Sequence, residues 1–292
     1  MRAAIDIGSN TVRLLIGEVV DGQVKVQRQQ IITTRLGKTK VGGNLSAEGK
    51  EKTLSALLAF AEIMQAEGVT EKPIVAATSA VREAADGEDF RQQVQEKLGW
   101  DLQILSGRQE ANCSYTGAAS AGQGGAVVID VGGGSTELIC RQPDGTVIGK
   151  SVKVGAVRLH SGEVAEEDLP QILADLLTVL PDDGIERQFI SVGGTITMLA
   201  AMLAGIDEYS REAVSGRAVT VDELNSLQAE LLPLTPAERL QKYPLMQGRE
   251  DVICTGIAIY LQLAALLKAE EFVASDAGLL DGLLLLSAEN QA

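Results

Sequence analysis

The sequence predicts an α/β protein of two domains, each built on a mixed β-sheet flanked by helices. The chain has 292 residues, 45% hydrophobic and 22% charged, a length at which single cores stop growing and chains divide. Residues 4–16, AIDIGSNTVRLLI, are echoed by residues 128–140, VIDVGGGSTELIC, so that Asp6 falls on Asp130, Gly8 on Gly132, Thr11 on Ser135 and Leu14 on Leu138. After each copy, strand-like and helix-like patterns alternate, as layered α/β domains require.

The elements follow in order. Each copy reads as strand, glycine turn, strand, and is followed by an Asp-Gly pair, Asp21-Gly22 and Asp144-Gly145, which favours the positive φ angles of a type I′ hairpin turn. Each half therefore opens with a β-meander. Residues 45–68 carry apolar side chains at helical spacing with Ser46 as N-cap. Pro73 opens a strand over 74–78, Asp86 to Leu98 is a helix stopped by Gly99, Leu102 to Leu105 a strand, and Gly107 to Ala121 a helix. The stretch GQGG at 122–125 is the expected linker. It divides the chain into residues 1–121 and 122–292, with the closing helix from about 279 free to pack back onto the first domain. In the second half Glu166 to Val179 is a helix closed by Pro181, and Phe189 to Val192 a strand running into Gly193-Gly194-Thr195 and another helix. Thr220 with Glu223, and Thr235 with Glu238 after Pro236, are capping boxes. Arg249 to Lys268 is a buried helix, Phe272 to Ala274 a strand, and SDAGLLDG leads into the last helix.

Composition excludes several functions. Aromatic residues are 3% of the chain, too few for a platform that stacks single-stranded nucleic acid. Three cysteines without a CxxC pair and a single histidine argue against a disulfide framework, a structural zinc site or a multi-histidine metal centre. The N-terminus MRAAIDIGSN is interrupted by Asp6 before any apolar core forms, so it is not a secretion signal. The apolar run Val252 to Leu267 is 16 residues, short of the ~20 a bilayer needs. A soluble cytoplasmic protein is expected. The net charge is −15, yet Lys25 to Lys52 carries Lys25, Arg28, Arg35, Lys38, Lys40, Lys50 and Lys52 against Glu48 and Glu51. That basic island is either a dock for a polyanion or a solvated face.

Four glycine-rich turns follow apolar strands: Asp6 to Thr11, Asp130 to Thr136, Gly193 to Thr197 and Ser275 to Gly278. Backbone N–H groups in such turns form anion nests, and the absence of Cβ lets phosphate oxygens approach. Ser9, Thr11, Ser135 and Thr195 add hydroxyl donors. A carboxylate at the strand end, Asp6 or Asp130, repels bare phosphate but can hold a divalent cation that bridges to it.

These turns carry a resemblance. DIGSNTVRLLI and DVGGGSTEL, with the later GGT, resemble the two phosphate loops of the actin-like ATPase superfamily. DIGSN, ATSAVREA, ILSGRQEA, IDVGGGSTEL, ISVGGT and SDAGLLDG together resemble the exopolyphosphatase / guanosine pentaphosphate phosphohydrolase family, in its short form, from Asp6 to about Asp281. The resemblance implies two ribonuclease-H-like domains with the active site in the cleft between them. It also implies hydrolysis of a terminal phosphoanhydride with Mg²⁺ or Mn²⁺ as cofactor. Position by position, Glu110 takes the role of the base that activates water and Arg82 that of an arginine facing the phosphates. Asp130 and Glu137, with Asp6, take the metal positions. Asn10, Ser135 and Arg249, with Ser9, Thr11, Gly132, Gly133, Gly134, Gly193, Gly194 and Thr195, line the phosphates. Where some members have a cysteine, this chain has Ala156.

Without that context Glu110 reads as a helix-start carboxylate that complements the helix dipole, Arg82 as half of a surface pair with Glu83 or Asp86, His160 as a surface or packing residue, and the cysteines as small buried hydrophobes. The expected substrate is inorganic polyphosphate, with pppGpp the alternative. No nucleic-acid or membrane partner is expected, and a homodimer is left open. An added C-terminal module of long family members is not expected in a chain of this length with one histidine, which implies a preference for shorter polyphosphates. A kinase of the same superfamily and a non-catalytic polyphosphate or pppGpp sensor are the competing readings.

Overall fold

The computed structural model describes residues 1–37, 43–119 and 125–289. The GQGG linker and, within the basic island, Lys38 and Lys40 thus lie largely or wholly outside the described residues. The chain divides into two compact units, Met1–Ser120 with Leu279–Ala292, and Ala121–Gly278.

In the first unit, β1 (Arg2–Ile7), β2 (Thr11–Val20) and β3 (Gln23–Thr33) form the expected antiparallel meander. Helix α1 (Ala47–Ala66) follows, capped by the Ser46 side chain at the Gly49 amide. Then come β4 (Ile74–Ala77), the one-turn α2 (Ser79–Arg82), α3 (Gly87–Leu98), β5 (Leu102–Ile104) and α4 (Gly107–Ala119). Strands β4 and β5 run parallel to β1, giving the order β3-β2-β1-β4-β5. Period-two alternation sends Ala3, Ile5 and Ile7 to one face, where they meet Leu57 and Phe60 of α1 and Phe90 and Val94 of α3. Ala4 and Leu15 point to the other face, against Cys113 of α4 and the chain's last helix.

The second unit repeats the plan. Strands β6 (Val127–Val131), β7 (Thr136–Arg141) and β8 (Val147–Val152) are an antiparallel meander. The short helices α5 (Ala156–His160) and α6 (Leu169–Ala174) lead to β9 (Phe189–Val192) and α7 (Gly194–Ala204). Next are α8 (Arg211–Val214), β10 (Ala218–Thr220), α9 (Val221–Leu231), α10 (Pro236–Lys242), α11 (Ile253–Leu267) and β11 (Glu271–Ala274). The order β10-β11-β9-β6-β7-β8 matches that of the first sheet, with β10 added as an antiparallel edge. The core joins the 127/129/131 face of β6 to α7, α9 and α11. Helix α12 (Leu279–Glu289) then returns to the first unit, placing Leu279, Leu280, Leu283 and Leu284 in its core.

Local chemistry explains where the elements depart from expectation. Asp21 and Gly22 both adopt positive φ, as a type I′ turn requires, but of the second pair only Gly145 does. There the Asp144 carboxylate accepts from the Thr146 amide and hydroxyl, which holds a five-residue connection, 142–146, instead. The helix expected over 166–179 is α-helical only from Leu169 to Ala174, flanked by 3₁₀ turns. Pro170 has no N–H to continue a helix begun earlier and sits in the first turn. The 249–268 helix begins at Ile253. Helix α8 and strand β10 were not anticipated; each is only a few residues long. Both capping boxes form.

Candidate functional site

Each half of the repeat builds the same turn. The Gly8 amide donates to the Thr11 carbonyl at 3.0 Å, and the Gly132 amide to the Ser135 carbonyl at 2.9 Å. The first turn is braced from behind: the Asn10 carbonyl accepts from the Thr34 and Arg35 amides, and the Ser9 carbonyl from the Gly37 amide. This leaves the side chains of Ser9 and Asn10 exposed, with the Ser9 hydroxyl 3.3 Å from that of Ser79. The second turn is braced by the start of α5, whose Ala156 and Val157 amides donate to the Gly132 and Gly133 carbonyls. Gly133 and Gly134 are exposed and Ser135 half-buried. Ala156 itself is buried.

The carboxylates near the ends of β1 and β6 face different residues across the ladder. Asp6 is 3% exposed and lies opposite Arg13 in the β1–β2 register. Arg13 donates to Asp6 Oδ2 through Nε at 3.0 Å and Nη2 at 2.6 Å. Asp6 Oδ1 is buried without a hydrogen-bond partner. The repeat-related position is Asp130, and the residue opposite it in the β6–β7 register is Glu137. The register puts Glu137 on the same face as Asp130. Two carboxylates directly opposite each other repel, and a divalent cation shared between them removes that cost. The donor set is hard oxygen only, suited to a cation that takes one or two carboxylates and completes its shell with water and substrate phosphate. Among the described residues no group of three or more His, Cys, Asp or Glu side chains is placed to hold a metal, so an all-protein cage is not what these residues build.

Gly193 and Gly194 continue this site within the second unit. Gly193 has φ +89° and abuts the Asp130 carboxylate, where a Cβ would overlap Oδ1. A Cβ on Gly194 would overlap the Arg249 guanidinium, so Arg249 lies across the start of α7, whose first amides have no intrahelical acceptor. Thr195 departs from expectation. Its side chain is buried and its hydroxyl donates to the Val131 carbonyl at 2.9 Å, which leaves its backbone amide, not its hydroxyl, for a ligand.

In the first unit the structure brings Arg82 and Glu110 together. Arg82 Nη1 donates to Glu110 Oε2 at 2.8 Å and to the Leu105 carbonyl at 2.7 Å, and the two side chains are 31% and 29% exposed. Helix α4 places Glu110 in its first turn. The SGRQ segment forms a reciprocal cap, with the Gln109 amide donating to Ser106 Oγ and the Ser106 amide to Gln109 Oε1. Cys113, one turn on, is pushed up to about 11 by burial and by the Glu110 charge, which makes it an inert thiol. All three cysteines are buried and free. His160 is exposed. In the basic island Arg28, Lys50 and Lys52 are paired with Glu67, Asp86 and Glu48, as a solvated face would be. Sequence reasoning passed over Arg13, although the offset that aligned the repeats sets it against Glu137.

The family model described as "Ppx/GppA phosphatase family" matches residues 15–291. The protein named exopolyphosphatase 2 of Mycobacterium tuberculosis is 30% identical, with 97% of each chain covered. A guanosine-5′-triphosphate,3′-diphosphate pyrophosphatase of Aeromonas salmonicida is 27% identical over 97% of this chain, which spans 58% of that relative. The crystal structure of the Aquifex aeolicus Ppx/GppA family member superposes with a TM-score of 0.85 at 26% identity, covering 99% of this chain and 97% of that one. No helix among the described residues is long and apolar enough to cross a membrane.

Proposed function

The chain belongs to the Ppx/GppA phosphatase family, and from that premise we propose that it releases orthophosphate from the terminal phosphoanhydride of inorganic polyphosphate, with pppGpp as the alternative substrate. The observation that carries the reading is the pairing of Asp130 with Glu137 across β6–β7, flanked by the glycine turns at 132–134 and 193–194. Paired carboxylates beside two anion nests suit a polyanion that arrives with a divalent cation. The relative named exopolyphosphatase 2, matched over nearly its full length, favours polyphosphate as the first substrate to test.

The geometry of each unit is consistent with the following roles. Asp130 and Glu137 would hold Mg²⁺ or Mn²⁺, which when bound neutralises charge on the transferred phosphoryl group. Asp6, already neutralised by Arg13, is the weaker metal candidate. The amides at 193–195 and the Arg249 guanidinium bind phosphate oxygens, as do Ser135, Asn10, Ser9 and Thr11. Glu110 takes the proton from the attacking water. Arg82, anchored on the Leu105 carbonyl, fixes Glu110 through Oε2. Such a base contributes typically ~10²–10⁴-fold.

Phosphate release from medium-chain polyphosphate and from pppGpp, with Mg²⁺ and with chelator, tests the reading. Glu110→Gln is expected to lower kcat by about 10²–10⁴-fold with little change in KM. Glu137→Gln is expected to weaken Mn²⁺ binding in equilibrium dialysis at unchanged fold. A wild type inert without an acceptor would point to a kinase or a sensor instead.

A further inference from the structure

We propose that Tyr209 distinguishes a nucleotide substrate from inorganic polyphosphate by stacking its ring on the purine base. The proposal rests on the phosphohydrolase reading and adds to it the residue that tells its two candidate substrates apart.

The chain contains nine aromatic residues, one Trp, four Tyr and four Phe. Tyr209, 43% exposed, is the one exposed aromatic side chain among the described residues. It stands in the loop that leaves α7 and precedes α8, within the unit that carries the Asp130–Glu137 pair. Its hydroxyl hydrogen-bonds Asp276 of the Ser275–Gly278 turn and Thr197 of α7, whose own hydroxyl donates to the Gly193 carbonyl, and the Arg249 guanidinium lies within electrostatic range. The second unit therefore presents a connected series. The paired carboxylates meet Gly193, Gly194 meets the Arg249 guanidinium, and Thr197 links the Gly193 carbonyl to Tyr209.

A 5′-triphosphorylated nucleotide has the same order of groups. The reacting γ-phosphate belongs at the carboxylate pair, the following phosphates at the Gly193–Gly194 amides and Arg249, and the base beyond them. A tyrosine tethered at its hydroxyl and 43% exposed is already ordered, so stacking costs it little conformational entropy. Polyphosphate continues as a chain of anions and has nothing to lay on the ring. A packing or charge-positioning role for Tyr209, acting through Arg249, would affect both substrates alike, which makes the two hypotheses separable.

The experiment compares KM for pppGpp and for inorganic tripolyphosphate in wild type, Tyr209→Leu and Tyr209→Phe. Tyr209→Leu should raise KM for pppGpp about 5- to 100-fold, the range by which losing an aromatic platform weakens a stacked base, and shift KM for tripolyphosphate less than about threefold. Tyr209→Phe retains the ring and should stay within about threefold of wild type on both. Equal losses on both substrates, no loss on either, or a Phe variant as impaired as the Leu variant would overturn the proposal. Calorimetric dissociation constants for the same two compounds separate it from the activity itself. If wild type cleaves neither, the hydrolase reading fails, while the ratio of dissociation constants still decides the role of Tyr209. A wild type that binds neither overturns both.

Discussion

Replacing Arg13 by glutamine isolates the difference between the two halves of the repeat. Asp6 has a side chain 5% exposed, and Arg13 delivers two charge-assisted hydrogen bonds to one of its oxygens, at 3.0 and 2.6 Å. Removing one member of a fully buried pair costs ~3–5 kcal/mol, because the remaining charge stays desolvated. Arg13 is 44% exposed, so water and salt screen the outer end of the pair and the expected cost falls to about 1–3 kcal/mol. Asp6→Asn removes the charge and should cost a comparable amount. The double variant leaves no buried charge and should be more stable than the two single losses added together, by about 1 kcal/mol or more. Urea unfolding of the four proteins at pH 7 measures the coupling directly. A loss under 0.5 kcal/mol for Arg13→Gln, where ~1 is the lower bound from the exposed-pair discount, or strict additivity in the cycle, would refute the argument that Arg13 is the counter-charge built into the first half.

Two further outcomes follow from packing and titration. A Cβ on Gly282 of α12 would overlap the Cys113 carbonyl of α4, so Gly282→Ala should destabilise by about 1–3 kcal/mol. At Gly107 no atom lies within 4 Å of an added Cβ, so Gly107→Ala should be neutral or stabilising by ~0.4–1 kcal/mol; urea midpoints of the two variants test the contrast. Asp86 is desolvated, which raises its pKa, but the Leu45 amide and Lys50 outweigh that and hold the carboxyl below its ordinary value. A carboxyl depressed on folding stabilises fully above its unfolded pKa of ~3.9 and loses that contribution as pH falls through the folded value. Asp86→Asn should cost about 1–2 kcal/mol at pH 7 and flatten the acid limb of the stability curve below about pH 4; an acid limb identical to wild type would contradict it.

Much of this molecule was legible because its information is local or repeated. The offset that aligns Asp6 with Asp130 also aligns the strand order of the two sheets, the Gly8 and Gly132 hydrogen bonds, and the meanders that carry them. Thr220 and Thr235 cap helices because the glutamate three residues on can reach back. What escaped the sequence depends on partners far along the chain. Arg82 and Glu110 are 28 residues apart and choose each other, where neighbouring acids had been the alternatives for Arg82. Thr195 finds its acceptor 64 residues away, which no turn signature predicts. The expectation that Arg249 faces phosphate rests on resemblance alone; that it lies against Gly194 is a tertiary fact. The break in the helix over 166–179 needed only Pro170, a signal present in the sequence and outweighed by apolar spacing on either side.

The return of α12 has a consequence for biosynthesis. The first unit's sheet is complete by Ile104, yet the face that α4 covers in part is not closed until Leu279, Leu280, Leu283 and Leu284 arrive. On the ribosome the first unit must therefore wait, with apolar surface uncovered, while the continuous stretch that forms the second unit is translated and can fold. The portion made first is the one finished last.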